Sequence, residues 1–220
     1  FSLLSVWLAA NNIFLSAVAL GLGAMIKPQA AIAGLVVFFY LLKKKQIQKI
    51  SIFFLVSLAT FVLGFLPFFS KDNNSNLISF IGERVVKTVE QYPYTSINAF
   101  NFWGLSGFWQ EESLGSFSKA YLGIVFSGVL FLLLVLKYLK GKINKYFLLS
   151  SLFLVSFLFF TRVHERHLLP VFAPLAVAVA STPVLVFAYL GLSLTYIFNL
   201  YYSWNWITYD FAHVLSSSSI

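Results

Sequence analysis

Long apolar stretches separated by short polar ones set the pattern of this chain: Ser2 to Ile26, Ala30 to Leu42, Ile50 to Phe69, Lys119 to Leu136, Tyr146 to Phe160, Leu168 to Ser181 and Pro183 to Tyr202. Each predicts a helix, and a perpendicular helix crosses a bilayer in about 20 residues. Ala30 to Leu42 and Leu168 to Ser181 fall short of that length and read as half-helices that begin inside a protein-lined cavity. The third and fourth stretches are separated by a loop, Ser70 to Phe117. Loops of such length usually carry function or structure of their own. Within it, Leu77 to Tyr92 has apolar residues at Leu77, Ile78, Ile81, Val85, Val86 and Val89, with Glu83, Arg84, Lys87 and Glu90 elsewhere on the wheel. That spacing predicts an amphipathic helix lying on a membrane surface. The expected fold class is all-α, a polytopic transmembrane bundle of about seven helices with a large outer-face loop containing that helix. Residues 1–202 would form the membrane domain and 203–220, ending in SSSSI, a partly disordered outer-face tail.

Composition agrees with this pattern. Hydrophobic residues make up 60% of the chain and charged ones 10%, with a mean hydropathy of +0.86. Soluble domains carry about 25% charged residues, so the chain reads as an integral membrane protein. Cysteine is absent, which excludes disulfides and thiolate metal sites. The chain opens at Phe1 directly into an apolar run, without the basic start of a signal peptide; this predicts a natural protein that extends further toward the N-terminus.

Charge sets the expected orientation. If the chain crosses at every apolar stretch, one side receives Lys43 to Lys49 and Lys137 to Lys145. These loops hold Lys43, Lys44, Lys45, Lys49, Lys137, Lys140, Lys142 and Lys145 and no acid, while all seven Asp and Glu residues fall on the other side. By the positive-inside rule the lysine side is cytoplasmic. The net charge of +8 therefore reports topology and argues against a nucleic-acid partner. The outer face collects Lys27, the Ser70 to Phe117 loop, and the segment RVHERH, Arg162 to His167.

RVHERH is the densest group of ionisable residues next to an apolar run. At the bilayer centre each of its charges would cost roughly 2.5 to 3.5 kcal/mol, so it belongs at the interface or in a polar cavity. Pro170 follows, and proline suits the first turn of a helix. The basic segment thus precedes a helix start, whose free N–H groups and dipole attract an anion. IKPQA repeats the device, with Lys27 beside Pro28. Lys27, Arg162, His164, Arg166 and His167 are the candidates for holding a phosphate; the plainer reading of the cations is as anchors that snorkel toward head groups. Glu165 reads as the ion-pair partner of Arg162 or Arg166, with a sugar-hydroxyl contact as the alternative. HERH is not the HExxH zinc pattern and has no evident third ligand. No cofactor is called for, although the two histidines leave room for a divalent metal. In the stretch Tyr92 to Trp109, aromatic rings alternate with Asn98 and Asn101; together with Trp103 these offer apolar faces and hydrogen-bonding edges to a sugar or acceptor. The alternative is a structural role, an interfacial aromatic belt with asparagines capping a short helix. Asn73-Asn74-Ser75 also fits the N-glycosylation acceptor pattern.

KPQA after a hydrophobic run, NAFNFWGL in a large loop and RVHERHLLP before a later helix together resemble the C-type (GT-C) multi-spanning glycosyltransferases, and among them bacterial mannosyltransferase-like members with K-P-Q and H-E-R-Y-L-x-P motifs. The resemblance spans about Lys27 to Pro170. It departs at His167, where the family usually has Tyr. It implies a bacterial cytoplasmic-membrane enzyme that transfers a sugar from a polyprenyl-phosphate-linked donor to the hydroxyl of a glycan, lipid or protein acceptor on the non-cytoplasmic face. Lys27, Arg162, His164, Arg166 and His167 would stabilise the leaving phosphate. The family's general base is an acid in the first outer loop; this chain contains no such loop, so the catalytic base is expected upstream of residue 1, and the chain to be the C-terminal part of a longer enzyme. A polysaccharide polymerase or ligase is the nearest alternative enzyme. A transporter or flippase of lipid-linked substrates is the alternative of a different class; it predicts ionisable residues deep in the spans and paired broken helices, and it ranks third because interior positions here are nearly all apolar or Ser, Thr and Asn.

Overall fold

The computed structural model describes residues 1–69, 76–112 and 118–209. The Asn73-Asn74-Ser75 acceptor pattern and the tail from residue 210 lie outside the described residues. Among the described residues the helices are α1 (Ser2–Leu8), α2 (Ile13–Ile26), α3 (Ile32–Lys43), α4 (Ile47–Gly64), α5 (Leu77–Glu90), α6 (Lys119–Leu139), α7 (Lys145–Phe159), α8 (Phe172–Ser181) and α9 (Val186–Tyr209), with two short strands, β1 (Ser96–Ile97) and β2 (Val163–His164). Three helical stretches among the described residues are long and apolar enough to cross a membrane: Ile47–Phe68, Lys119–Leu139 and Pro183–Thr208. The apolar helices Ile13–Ile26, Pro28–Lys43 and Lys145–Phe159 are shorter.

The first apolar run does not form the single helix expected over Ser2 to Ile26. It breaks at Ala9 to Asn12, where Asn12 caps α2 by accepting the Leu15 N–H at 3.0 Å. A capping asparagine satisfies one of the donors a helix start leaves free. α1 then turns back against α2, and Ser16 Oγ donates to the Ser5 carbonyl at 2.7 Å. Both serines are fully buried, so each hydroxyl finds its partner inside the pair. α2 also packs on α4, and there Gly21 admits the backbone of Ser57.

Pro28 opens a 3-10 turn, Pro28–Ala31, that leads into α3, and Lys27 is its N-cap. The arrangement follows the expected placement of proline at a helix start. α5 begins at Asn76, whose side chain accepts the Ser79 N–H at 2.8 Å. Ile81 is buried, while Ile78, Val85 and Val86 are exposed.

The chain divides into two compact units. One comprises Phe1–Tyr92 and Leu132–Leu152; the other comprises Pro93–Phe131 and the chain from Phe153 onward. In the first, the core is formed by Val36, Val37, Leu41, Phe53, Leu148, Leu149 and Leu152. In the second, α6 and α7 touch where Gly123 meets the Phe159 carbonyl; any Cβ at Gly123 would collide with that oxygen. α9 runs to Tyr209, past the Tyr202 boundary expected for the last helix. Packing extends it: Ser203 and Trp206 are buried, and Trp206 stacks on Trp109 at 4.8 Å between ring centroids.

Candidate functional site around the 93–112 loop

The part of the long loop from Pro93 to Glu112 is a folded element of the second unit. Its two ends pair in antiparallel fashion: Thr95 N–H donates to the Gln110 carbonyl at 2.8 Å, Trp109 N–H to Ser96 at 2.9 Å and Glu112 N–H to Pro93 at 2.9 Å. Asn98 and Trp109 adopt left-handed backbone (φ 53° and 58°), a region that side-chain-bearing residues enter rarely and asparagine most readily. Trp109 Nε1 donates to Asn98 Oδ1 at 2.9 Å and fixes the bend. Lys119, at the start of α6, ties the loop down by donating to Ser106 Oγ at 2.8 Å and Gln110 Oε1 at 2.7 Å.

This element wraps the end of α7 and the TRVH segment after it. A helix C-terminus leaves its last carbonyls without intrahelical partners. Here Phe102 N–H donates to the Leu158 carbonyl at 3.0 Å and the Trp103 indole N–H to Phe159 at 2.6 Å, so Phe102 and Trp103 cap α7. Beyond the cap, β1 pairs with β2 in parallel, Ser96 opposite Val163 and Ile97 opposite His164. Arg162, between cap and strand, is also left-handed (φ 60°). Its N–H donates to the Tyr94 carbonyl at 3.0 Å, and its Nε donates to Glu112 Oε2 at 2.7 Å. Thr161 Oγ1 donates to the other Glu112 oxygen. The Glu112 side chain is 4% exposed, and a buried carboxylate persists only when paired and hydrogen-bonded.

The acid on Arg162 is therefore Glu112, not Glu165 as the sequence suggested, because the loop folds back over positions that are far away along the chain. Glu165 instead opens a 3-10 turn, Glu165–Val171, that feeds α8. Pro170 sits within that turn. His167 Nδ1 accepts the His164 N–H at 2.9 Å, and the two imidazoles stack with centroids 5.7 Å apart. Arg166 is exposed and has no hydrogen-bond or ion-pair partner among the described residues. Lys27 is half-buried and belongs to the other unit. Among the described residues no group of three or more His, Asp and Glu could hold a metal ion.

Asn98, Asn101 and Trp103 are 1%, 5% and 6% exposed, and their polar atoms largely serve the protein. Asn101 Oδ1 caps the 3-10 turn Trp103–Ser106 by accepting the Gly104 N–H at 2.9 Å. Its Nδ2, like Thr95 Oγ1, is buried without a hydrogen-bond partner among the described residues. Beside it runs a groove of about 530 Å³ walled by Phe100, Phe102, Leu105, Phe108 and Phe159. Asn199 is the residue that the sequence reading missed. It lies fully buried in α9, donates from Nδ2 to the Asn98 carbonyl at 2.5 Å and accepts the Phe100 N–H at 2.9 Å. The signal was present, since an asparagine in an apolar helix must find partners.

These features define a helical, membrane-type protein whose ordered loop braces a basic turn. No known protein family, curated protein or solved structure matches the chain.

Proposed function

We propose that the chain is a multi-pass membrane glycosyltransferase that moves a sugar from a polyprenyl-phosphate-linked donor to an acceptor hydroxyl on the non-cytoplasmic face. The observation that carries the reading is the pairing of Ser96–Ile97 with Val163–His164. With the bridge between Asn98 and His164, it brings the start of NAFNFWGL beside RVHERHLLP, two of the three segments on which the family resemblance rests. Arg166 is the exposed cation of the latter segment. The apolar groove beside Asn101 has the chemistry of a site for a prenyl chain.

In this reading the acceptor hydroxyl oxygen attacks the anomeric carbon and gives up its proton to a general base, the carbon–oxygen bond to phosphate breaks, and the electron pair leaves with the polyprenyl phosphate. Arg166 stabilises the charge that develops on the leaving phosphate. Arg162, engaged by Glu112, Thr161's neighbour on the carboxylate, and the His164–His167 pair position the turn that carries Arg166. Glu112 is committed to these contacts and is not assigned as the general base, which the transfer requires. The test uses the protein purified from its native membrane and reconstituted with radiolabelled polyprenyl-phosphate hexoses and a crude acceptor fraction. The expected result is label in the acceptor and free polyprenyl phosphate in equal amounts. Absence of both products across the common hexose donors would refute the proposal.

A further inference from the structure

We propose that the lysine-rich end of the first unit is a binding surface for anionic phospholipid headgroups. The inference rests on the membrane character of the chain and is independent of the glycosyltransferase reading. α3 ends at Lys43 and α6 at Leu139. Beyond each, the chain turns through a left-handed residue, Lys45 (φ 56°) after α3 and Gly141 (φ 73°) after α6. The two turns lie together: Lys43 Nζ donates to the Tyr138 carbonyl at 2.7 Å and sits 4.6 Å from the centre of the Tyr138 ring. Lys145 Nζ donates to the Val6 carbonyl at 2.8 Å and lies over the rings of Tyr40 and Tyr146 at 4.9 and 5.1 Å.

Two of the eight lysines are thus engaged within the protein. The other six, Lys44, Lys45, Lys49, Lys137, Lys140 and Lys142, are exposed, and their ammonium groups have no hydrogen-bond or ion-pair partner among the described residues. Neither loop contains an acid. Like charges gathered in this way repel one another unless an anion lies between them. The positive-inside rule accounts for lysines on one side of a membrane; it does not require two loops to be pinned side by side. Leu42, Ile47 and Leu136, next to the turns, are exposed apolar residues that suit acyl chains, and tyrosine is favoured at headgroup level. Cations above apolar contacts fit a phospholipid better than a free phosphate ion.

The experiment reconstitutes the full chain in phosphatidylcholine nanodiscs and measures, by electron spin resonance, the protein-restricted fraction of spin-labelled phosphatidylglycerol and of spin-labelled phosphatidylcholine. At low salt phosphatidylglycerol should associate about fivefold more strongly, the factor expected from one well-placed lysine at a charged surface. The preference should fall toward parity as salt shortens the screening length. Sodium phosphate should act no more strongly than sodium chloride of equal ionic strength. Replacing Lys44, Lys45, Lys140 and Lys142 by Gln should remove the preference, and replacing them by Arg should keep it. Equal association of the two lipids with the unaltered protein would overturn the proposal, as would specific displacement by phosphate or a preference that survives the four Gln substitutions. If the Gln protein does not insert, the lipid, salt and phosphate comparisons on the unaltered protein decide the matter.

Discussion

Replacing Asn199 by Leu should release the 98–100 segment from α9. The side chain is fully buried and bonds two backbone groups of the loop, the Asn98 carbonyl and the Phe100 N–H. Leucine nearly conserves volume but leaves both groups unpaired, and Asn98 itself is 1% exposed. An orphaned buried group costs about 1 to 3 kcal/mol, so the pair should cost about 3 kcal/mol, with the better-solvated Phe100 N–H contributing less. At about 1.4 kcal/mol per factor of ten, local opening should become on the order of a hundredfold more frequent. The chain has no cysteine, so a single probe can be introduced: Ala99→Cys lies between the two bonded groups and is fully buried. Its maleimide labelling rate reports opening. In that background Asn199→Leu should label about a hundredfold faster, while Phe198→Leu, at a position 58% exposed, should change little. Side-chain hydrogen bonds between membrane helices average only about 0.6 kcal/mol because the unfolded chain finds other partners. A rate within about threefold of the background would show that Asn199 behaves in that way and that β1, β2 and the Trp109 contacts hold the loop without it.

Arg166→Ala should abolish sugar transfer in the proteoliposome assay and leave membrane insertion intact; normal turnover would remove Arg166 from the site. Trp103 is buried with its indole N–H on the Phe159 carbonyl, so Trp103→Phe should cost about 1 to 2 kcal/mol and Trp103→Ala about 3 to 5 kcal/mol in thermal unfolding in detergent. A fall in sugar affinity without loss of stability would return the ring to substrate binding. Gly123→Ala should destabilise by about 1 to 3 kcal/mol through its collision with the Phe159 carbonyl. Gly128→Ala, on the same helix with open space around it, should instead be neutral or stabilise by about 0.5 to 1 kcal/mol; similar losses at both positions would mean that α6 and α7 do not approach as described.

Helix positions were legible because burial in a bilayer imposes a length and an apolarity that show directly in the residues. α5 and its start at Leu77 could be read from spacing alone, as could Pro28 at the start of the turn before α3. The break after Leu8 was less visible. Asn11 and Asn12 interrupt the run only briefly, and the turn depends on Ser5 and Ser16 meeting across it.

Within the site, the sequence by itself determined which residue types stand near the helix starts. Only the tertiary structure decided the pairings: Glu112 with Arg162, Phe102 and Trp103 with the end of α7, and Asn199 with the loop. The physical reason is separation along the chain. Hydrophobicity, capping and proline geometry act over a few residues and leave a local trace, whereas a buried carboxylate or amide is satisfied by whichever partner the folded chain brings within about 3 Å, and no local pattern names that partner.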